Sequence, residues 1–233
     1  MICFRPFLAL LLAAWIIPIS AAGQNLVFNG SFDEPNLCTE YEAKCAPSAW
    51  FYVYATGPGW GYKPRENSSD YVLQLFSARK KDETRSFWQT MLATPVVPGQ
   101  EYKLELDISG DKAGPNLNDV GIVVTRKMYF AIYSPYKLPE TYISLKDAQV
   151  SKLNNGWYHL SKTCTFADTM QVLVVGNFSP KSNLQILEER KNKEGYIVTT
   201  IDNLSLVPVA PAQQNVTTVP PRQLKDSLYN VRD

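Results

Sequence analysis

Three groups of residues in this chain have types and spacings that could do chemistry. The first is aromatic. Trp60 and Tyr62 stand in the run GPGWGYKP (residues 57–64), whose turn residues leave little room to bury both rings. Tyr52 and Tyr54 share one side of the strand-like run WFYVY (residues 50–54), and Gln74 and Gln89 lie in later runs of the same kind. Flat rings take the C–H-rich face of a pyranose and amides take its hydroxyls, so these six residues are the candidate sugar-binding set. For Trp60 and Tyr62 a core position is an equally good reading. Trp50, Trp88 and Trp157 are expected in the core.

The second group is acidic. Asp33 follows the opening stretch NLVFNGSF and Asp202 lies in the closing stretch TTIDNLSLV. If those stretches are neighbours, their carboxylates converge and call for a counterion. Structural Ca2+, completed by backbone carbonyl oxygens, is the natural one. The simpler alternative is that Asp33 caps a turn through its side chain. The third group is sulfur: Cys38 and Cys45 close a short loop and form the simplest disulfide. That leaves Cys164, in the run TCTF, as a buried strand thiol, and pairings that involve Cys164 stay open.

Catalysis finds less to work with. His159 is the sole histidine, and the chain has neither a G-x-S-x-G elbow nor a glycine-rich phosphate loop. His159 is expected to face solvent or a cross-strand neighbour. Carboxylates are numerous enough for a glycosidase pair by count alone. A domain this small, filled by its own strands, nevertheless leaves little room for a deep active site. The expectation is a protein that is not an enzyme.

The elements that must position these groups follow from the rest of the chain. Residues 1–23 carry one cation, Arg5, then an apolar run and small residues, in the order of a cleaved secretory signal peptide. Its apolar run is short for a membrane span, and no later segment is apolar enough for direct membrane insertion. The chain holds 23 basic and 22 acidic residues, so loss of Arg5 leaves a neutral mature protein. Neutrality gives no electrostatic reason to bind nucleic acid. Export to the periplasm, the outer membrane or the extracellular space is expected.

Residues 24–209 read as one all-β domain of many short strands, a β-sandwich or jelly roll. YKLELDI (residues 102–108) alternates cleanly, with Tyr102, Leu104, Leu106 and Ile108 inward and Lys103, Glu105 and Asp107 outward. Further strands are expected at residues 71–76, 86–91, 120–125, 127–133, 157–160 and 170–178. Asn154-Asn155-Gly156 reads as a hairpin-type turn. Residues 135–152 read as a long polar insertion, and the mixed-charge run 188–194 as a solvated loop. Residues 210–233 are a linker or tail of Pro, Gln, Thr and Val, ending in a short stretch with helix-like spacing of Leu224 and Leu228. Such linkers join modules, so a second domain beyond residue 233 is one expectation and a complete protein with a frayed end the other.

Five stretches occur in an order that resembles a known pattern: NLVFNGSFDEP, TPVVPGQEYKLELDIS, NNGWYHLSKTCTFAD, VLVVGNFS and TTIDNLSLVPV. They look like CenC-type carbohydrate-binding modules with the galactose-binding-like jelly roll, as found at the N-terminus of OmpA-like envelope proteins of Gram-negative bacteria. The resemblance spans residues 25–209. It implies a glycan partner at the cell envelope and adds weight to calcium, since Asp33 and Asp202 match the acidic positions where related modules carry an ion. The alternative is a structural scaffold that contacts another envelope protein or domain without lectin activity.

Overall fold

The computed structural model of the protein describes residues 23–38, 43–53, 61–66, 68–79, 83–109, 114–115, 117–129 and 141–209. The expected leader, apart from Gly23, and the tail from residue 210 lie outside them, as do Tyr54 and Trp60. Among the described residues no helix is long and apolar enough to cross a membrane.

Among the described residues thirteen strands and one short helix follow one another as β1 (Pro35–Cys38), β2 (Ala43–Pro47), β3 (Trp50–Val53), β4 (Tyr62–Pro64), β5 (Tyr71–Arg79), β6 (Phe87–Val96), β7 (Glu101–Ser109), β8 (Val120–Thr125), β9 (Tyr142–Ser144), β10 (Gln149–Lys152), β11 (Trp157–Thr165), β12 (Met170–Asn177), α1 (Asn183–Glu189) and β13 (Tyr196–Pro208). β1 and β2 form a small ribbon. The other strands make a six-stranded sheet, β10-β11-β7-β13-β5-β4, and a five-stranded sheet, β3-β6-β12-β8-β9. All pairings are antiparallel. From β5 onward the chain passes repeatedly between the sheets, which is the winding of a jelly-roll β-sandwich. The expected fold class is the observed one.

Side-chain alternation builds the core. Tyr102, Leu104, Leu106 and Ile108 of β7 point between the sheets and meet Leu73, Leu75, Trp88, Ile122, Leu173, Val175 and Leu206 in one buried cluster. Trp50 and Trp88 belong to it, as expected. A second buried layer, made of Val53, Phe87, Val123, Val172, Val174 and Phe178, uses the opposite side chains of the five-stranded sheet. Met128, Tyr129 and Tyr142 pack over it. That sheet is therefore apolar on both faces, which accounts for the unbroken burial of residues 120–124 and 172–177.

The closing strand departs from simple alternation. Residues Ile197, Thr199 and Ile201 are buried, but after Asp202 the buried positions are Leu204 and Leu206. The register shifts between Asp202 and Ser205, and Asn203 takes a left-handed conformation with φ 51°. This is a β-bulge, and Asn tolerates its positive φ better than most side chains. Unbroken alternation would set Ile201, Asn203, Ser205 and Val207 on one face, and the bulge prevents it.

The opening stretch is not a full strand. Val27 makes one isolated bridge to Leu92 of β6, while the Leu26 N–H donates to the Leu206 carbonyl (2.9 Å) of β13. It thus ties both sheets together and does lie beside the last strand. Gly30 is held against that strand so closely that a Cβ there would sit 1.9 Å from the Leu204 carbonyl oxygen.

Other expectations shift in detail. Residues 62–64, expected in a loop, pair as β4 with β5. The polar insertion contains β9 and β10. Residues 127–129 do not continue the sheet, and 130–133 lie outside the described residues. Helix α1 runs into the start of the charged stretch expected as loop. Ser182 caps it by accepting from the Gln185 N–H (3.2 Å), and Ile186 and Leu187 pack against Ala78 and Ile197.

Candidate functional site on the outer face of the six-stranded sheet

The side chains of the six-stranded sheet that point away from the core form cross-strand rows. Gln74 of β5, Thr200 of β13, Ser109 of β7 and Trp157 of β11 are successive register partners. Their strands are about 4.8 Å apart, so the row lays an amide, two hydroxyls and an indole across the face at intervals comparable to a sugar ring. A second row joins Asp202, Asp107, His159 and Ser151.

A cleft of about 510 Å³ opens over the first row, lined by Lys63, Arg65, Glu66, Val72, Ser109, Asn155, Gly156, Trp157 and Thr200. Its floor is the sheet. One wall is the β10–β11 hairpin, where Asn155 (φ 57°) and Gly156 (φ 79°) are the two left-handed residues of a type I′ turn. The expected hairpin is present and sets the register that aims Trp157 outward. The other wall is the end of β4 and the turn after it. From there Arg65 reaches over the sheet. Its guanidinium carbon lies 4.4 Å from the Trp157 ring centroid, and Nη1 lies 3.3 Å from Asp202 Oδ2.

Trp157 corrects an expectation. It is nearly buried, but on the outer face beneath Arg65 and not between the sheets. Its neighbours Tyr158 and Leu160 take the inward positions opposite Ile108 and Leu106.

Most of the expected sugar-binding residues are used elsewhere. Tyr62 is half-buried against the core, its hydroxyl donates to the Phe32 carbonyl (2.8 Å), and its ring stacks on Tyr71 at 4.8 Å. Burial pushes that phenol well above its ordinary value, with Tyr71 and Asp33 adding to the rise. Tyr52 packs edge-on against Trp88 at 5.5 Å. Gln89 lies on the other sheet. It is buried and binds the Tyr129 backbone twice, accepting from its N–H (2.9 Å) and donating to its carbonyl (2.7 Å). Gln74 does not line the cleft itself, but its amide donates at 3.4 Å to Thr200 Oγ1, which does. The aromatic set therefore does not assemble from the described residues.

The acidic pair is engaged as well. Asp33 accepts the Tyr71 N–H (2.9 Å) at the start of β5, a long-range contact and not the local turn cap. Asp202 accepts the Asn203 N–H (2.7 Å) and has Arg65 as its counterion. Burial raises its pKa to about 6, against the pull of Asn203 and Arg65. Among the described residues no three acidic, His or Cys side chains form a metal-holding group. Asp33 is near enough to add to the rise at Asp202, and the counterion the pair calls for is supplied there by Arg65.

His159 does meet a cross-strand neighbour. Nδ1 lies 2.8 Å from Asp107 Oδ1 and Nε2 lies 3.2 Å from Glu105 Oε1. Hydrogen bonding to Asp107 raises its pKa despite some burial, and Glu105 adds to the rise. With both nitrogens facing carboxylates, the setting favours the protonated ring and fixes its orientation. Cys164 is a free, half-buried thiol that burial pushes up to about 11. Cys38 and Cys45 stand on β1 and β2, where the register sets Cys38 opposite Ala43. Their side chains, and so the expected disulfide, lie outside the described residues.

No family model matches the chain, and no curated protein does. Among solved structures, the xylan-binding CBM22-1 domain of Paenibacillus barcinonensis Xyn10C is 13% identical, over 82% of this chain and 98% of its own, with a TM-score of 0.43. The mannan-recognising module TmCBM27 is 11% identical over 69% of this chain and 88% of its own, with a TM-score of 0.33. The enzymatically active domain of bacteriophage CBA120 tailspike protein 4 is 12% identical over 79% of this chain and 21% of its own, with a TM-score of 0.39. At such scores the fold rests on the strand order described above.

Proposed function

We propose that this chain is an exported, non-catalytic module that binds a glycan in the outer-face cleft. One observation carries the reading: a polar cleft of about 510 Å³, whose floor carries the Thr200 and Ser109 hydroxyls and the nearly buried Trp157, with the Asn155 amide on one wall. Its size falls in the range of small-ligand sites, roughly 300–1,000 Å³. Thr200, Ser109 and Asn155 offer hydrogen bonds of both senses, as sugar hydroxyls need. The same floor offers no activated nucleophile, and His159 is tied to Asp107 and Glu105. Export is proposed from the leader-like residues 1–23.

The second reading is a scaffold without lectin activity, and it has its own support. Of Trp60 and Tyr62, the two rings whose exposure would favour a lectin, Tyr62 is packed against the core and Trp60 lies outside the described residues. A glycan array with residues 24–233, followed by calorimetry on Trp157→Ala and Thr200→Ala, separates the two. The lectin reading expects an oligosaccharide whose binding both variants weaken. An array with no hit, or a hit that neither variant affects, hands the cleft to the scaffold reading.

A further inference from the structure

We infer that the cleft selects an acidic saccharide, and that Arg65 and Lys63 grip the carboxylate of a uronic acid residue. This rests on the glycan-binding reading of the same cleft and sharpens it. Arg65 is held in place before any ligand arrives. Trp157 supports the flat face of the guanidinium at 4.4 Å and Asp202 tethers Nη1 at 3.3 Å. Its backbone N–H is fixed to the Asp70 carbonyl at 2.8 Å. Among the described residues, Nη2 and Nε have no acceptor, and the side chain remains one-third exposed to the cleft. A stacked guanidinium with free N–H groups suits a planar oxyanion, because carboxylates take two parallel N–H bonds. Because stacking and the tether already restrict the long side chain, little entropy is lost when the anion binds.

Lys63 stands beside it. It is exposed on β4, lines the same cleft, and has no acceptor for its ammonium among the described residues. Two cations on one wall therefore face a floor of neutral hydroxyls and amides. That layout fits a ring bearing one carboxylate and several hydroxyls better than a neutral sugar or a bare anion. Glu66, exposed at the rim, is the negative charge such a ligand would meet. Asp202 is already matched by Arg65.

The test is calorimetry on the whole chain with a uronic acid trisaccharide, its fully methyl-esterified form, and acetate. The acid form is expected to bind about tenfold more tightly than the ester, the worth of a charge-assisted contact. Added salt should narrow that gap. Arg65→Gln should erase the preference, and Lys63→Gln, at an exposed position, should reduce it even if Arg65→Gln fails to fold. Glu66→Gln should strengthen the acid form. Equal binding of acid and ester overturns the inference while leaving glycan binding in place. Acetate that competes as well as the trisaccharide overturns the saccharide part. Binding of none of the three overturns this inference, and the glycan array alone then decides the wider reading.

Discussion

The two sheets of this sandwich share one core but treat their outer faces in opposite ways. The five-stranded sheet carries Val53, Phe87, Val123, Val172 and Val174 on its outer face and is sealed there by Met128, Tyr129 and Tyr142. Gln89, the polar member of that face, spends its amide pinning the covering segment at Tyr129. The six-stranded sheet instead presents Gln74, Thr200, Ser109, Asp107 and His159, with a cleft over Thr200 and Ser109. One face is finished by the chain itself. The other is left with hydrogen-bonding capacity that water fills until a ligand does. Function is therefore sought where the sequence is polar on a strand already anchored by its inward side chains.

That contrast can be broken first by Phe87→Ala. Phe87 is fully buried in the second layer, 4.9 Å from the Phe178 ring, so the substitution should cost about 3–5 kcal/mol in urea unfolding. A loss under about 1 kcal/mol would mean the layer is a mere covering and not a core. Next comes Gln89→Ala, which strands the Tyr129 N–H and carbonyl and should cost about 2 kcal/mol. Faster amide exchange at Tyr129 should accompany it.

On the open face the effects shrink. The raised pKa of His159 means its stabilisation is full below the ordinary value of 6.5 and is lost as pH climbs through the folded value. His159→Gln should therefore lower the melting temperature in acid and little near pH ~9. Solvent screening limits the loss to less than about 1 kcal/mol. Thr200→Ala should stay within about 0.5 kcal/mol of the parent in stability while weakening glycan binding. Least of all, calcium should leave the melting curve where chelator puts it, because Arg65 already neutralises Asp202. A calcium-dependent rise would restore the metal reading.

The fold was legible because alternation and turn chemistry agreed. The clean alternation of β7 and the Asn155-Gly156 turn appear as read. The site was less legible, for physical reasons. Trp157 is a large apolar ring, and residue type suggests the core; only its alternation with Tyr158 and Leu160 tells that it points outward. That signal was present in the sequence. Arg65 left no such signal, since its partners Trp157 and Asp202 are distant in the chain and meet it only after folding. The bulge at Asn203 hid in an apparently regular strand, since one left-handed residue shifts the phase without changing composition. Helix α1 was short enough to pass for loop, although Ser182 and Gln185 spell a capping box.

The asparagines of this fold bear on where the protein can be made. Five Asn-x-Ser/Thr triplets invite N-glycosylation in a host that performs it, and sugar would be attached at Nδ2. In Asn29 that nitrogen donates to the Glu34 and Ser48 carbonyls, and in fully buried Asn177 to the Ser77 carbonyl and Asn183 Oδ1. Each uses both hydrogens, so a sugar there removes one brace, and at fully buried Asn177 it also places a bulky polar group where there is no room. A secretory pathway that modifies these two triplets would turn out chains unable to close. One that lacks the modification, or a gene with Ser31 and Ser179 replaced by Ala, keeps the braces intact.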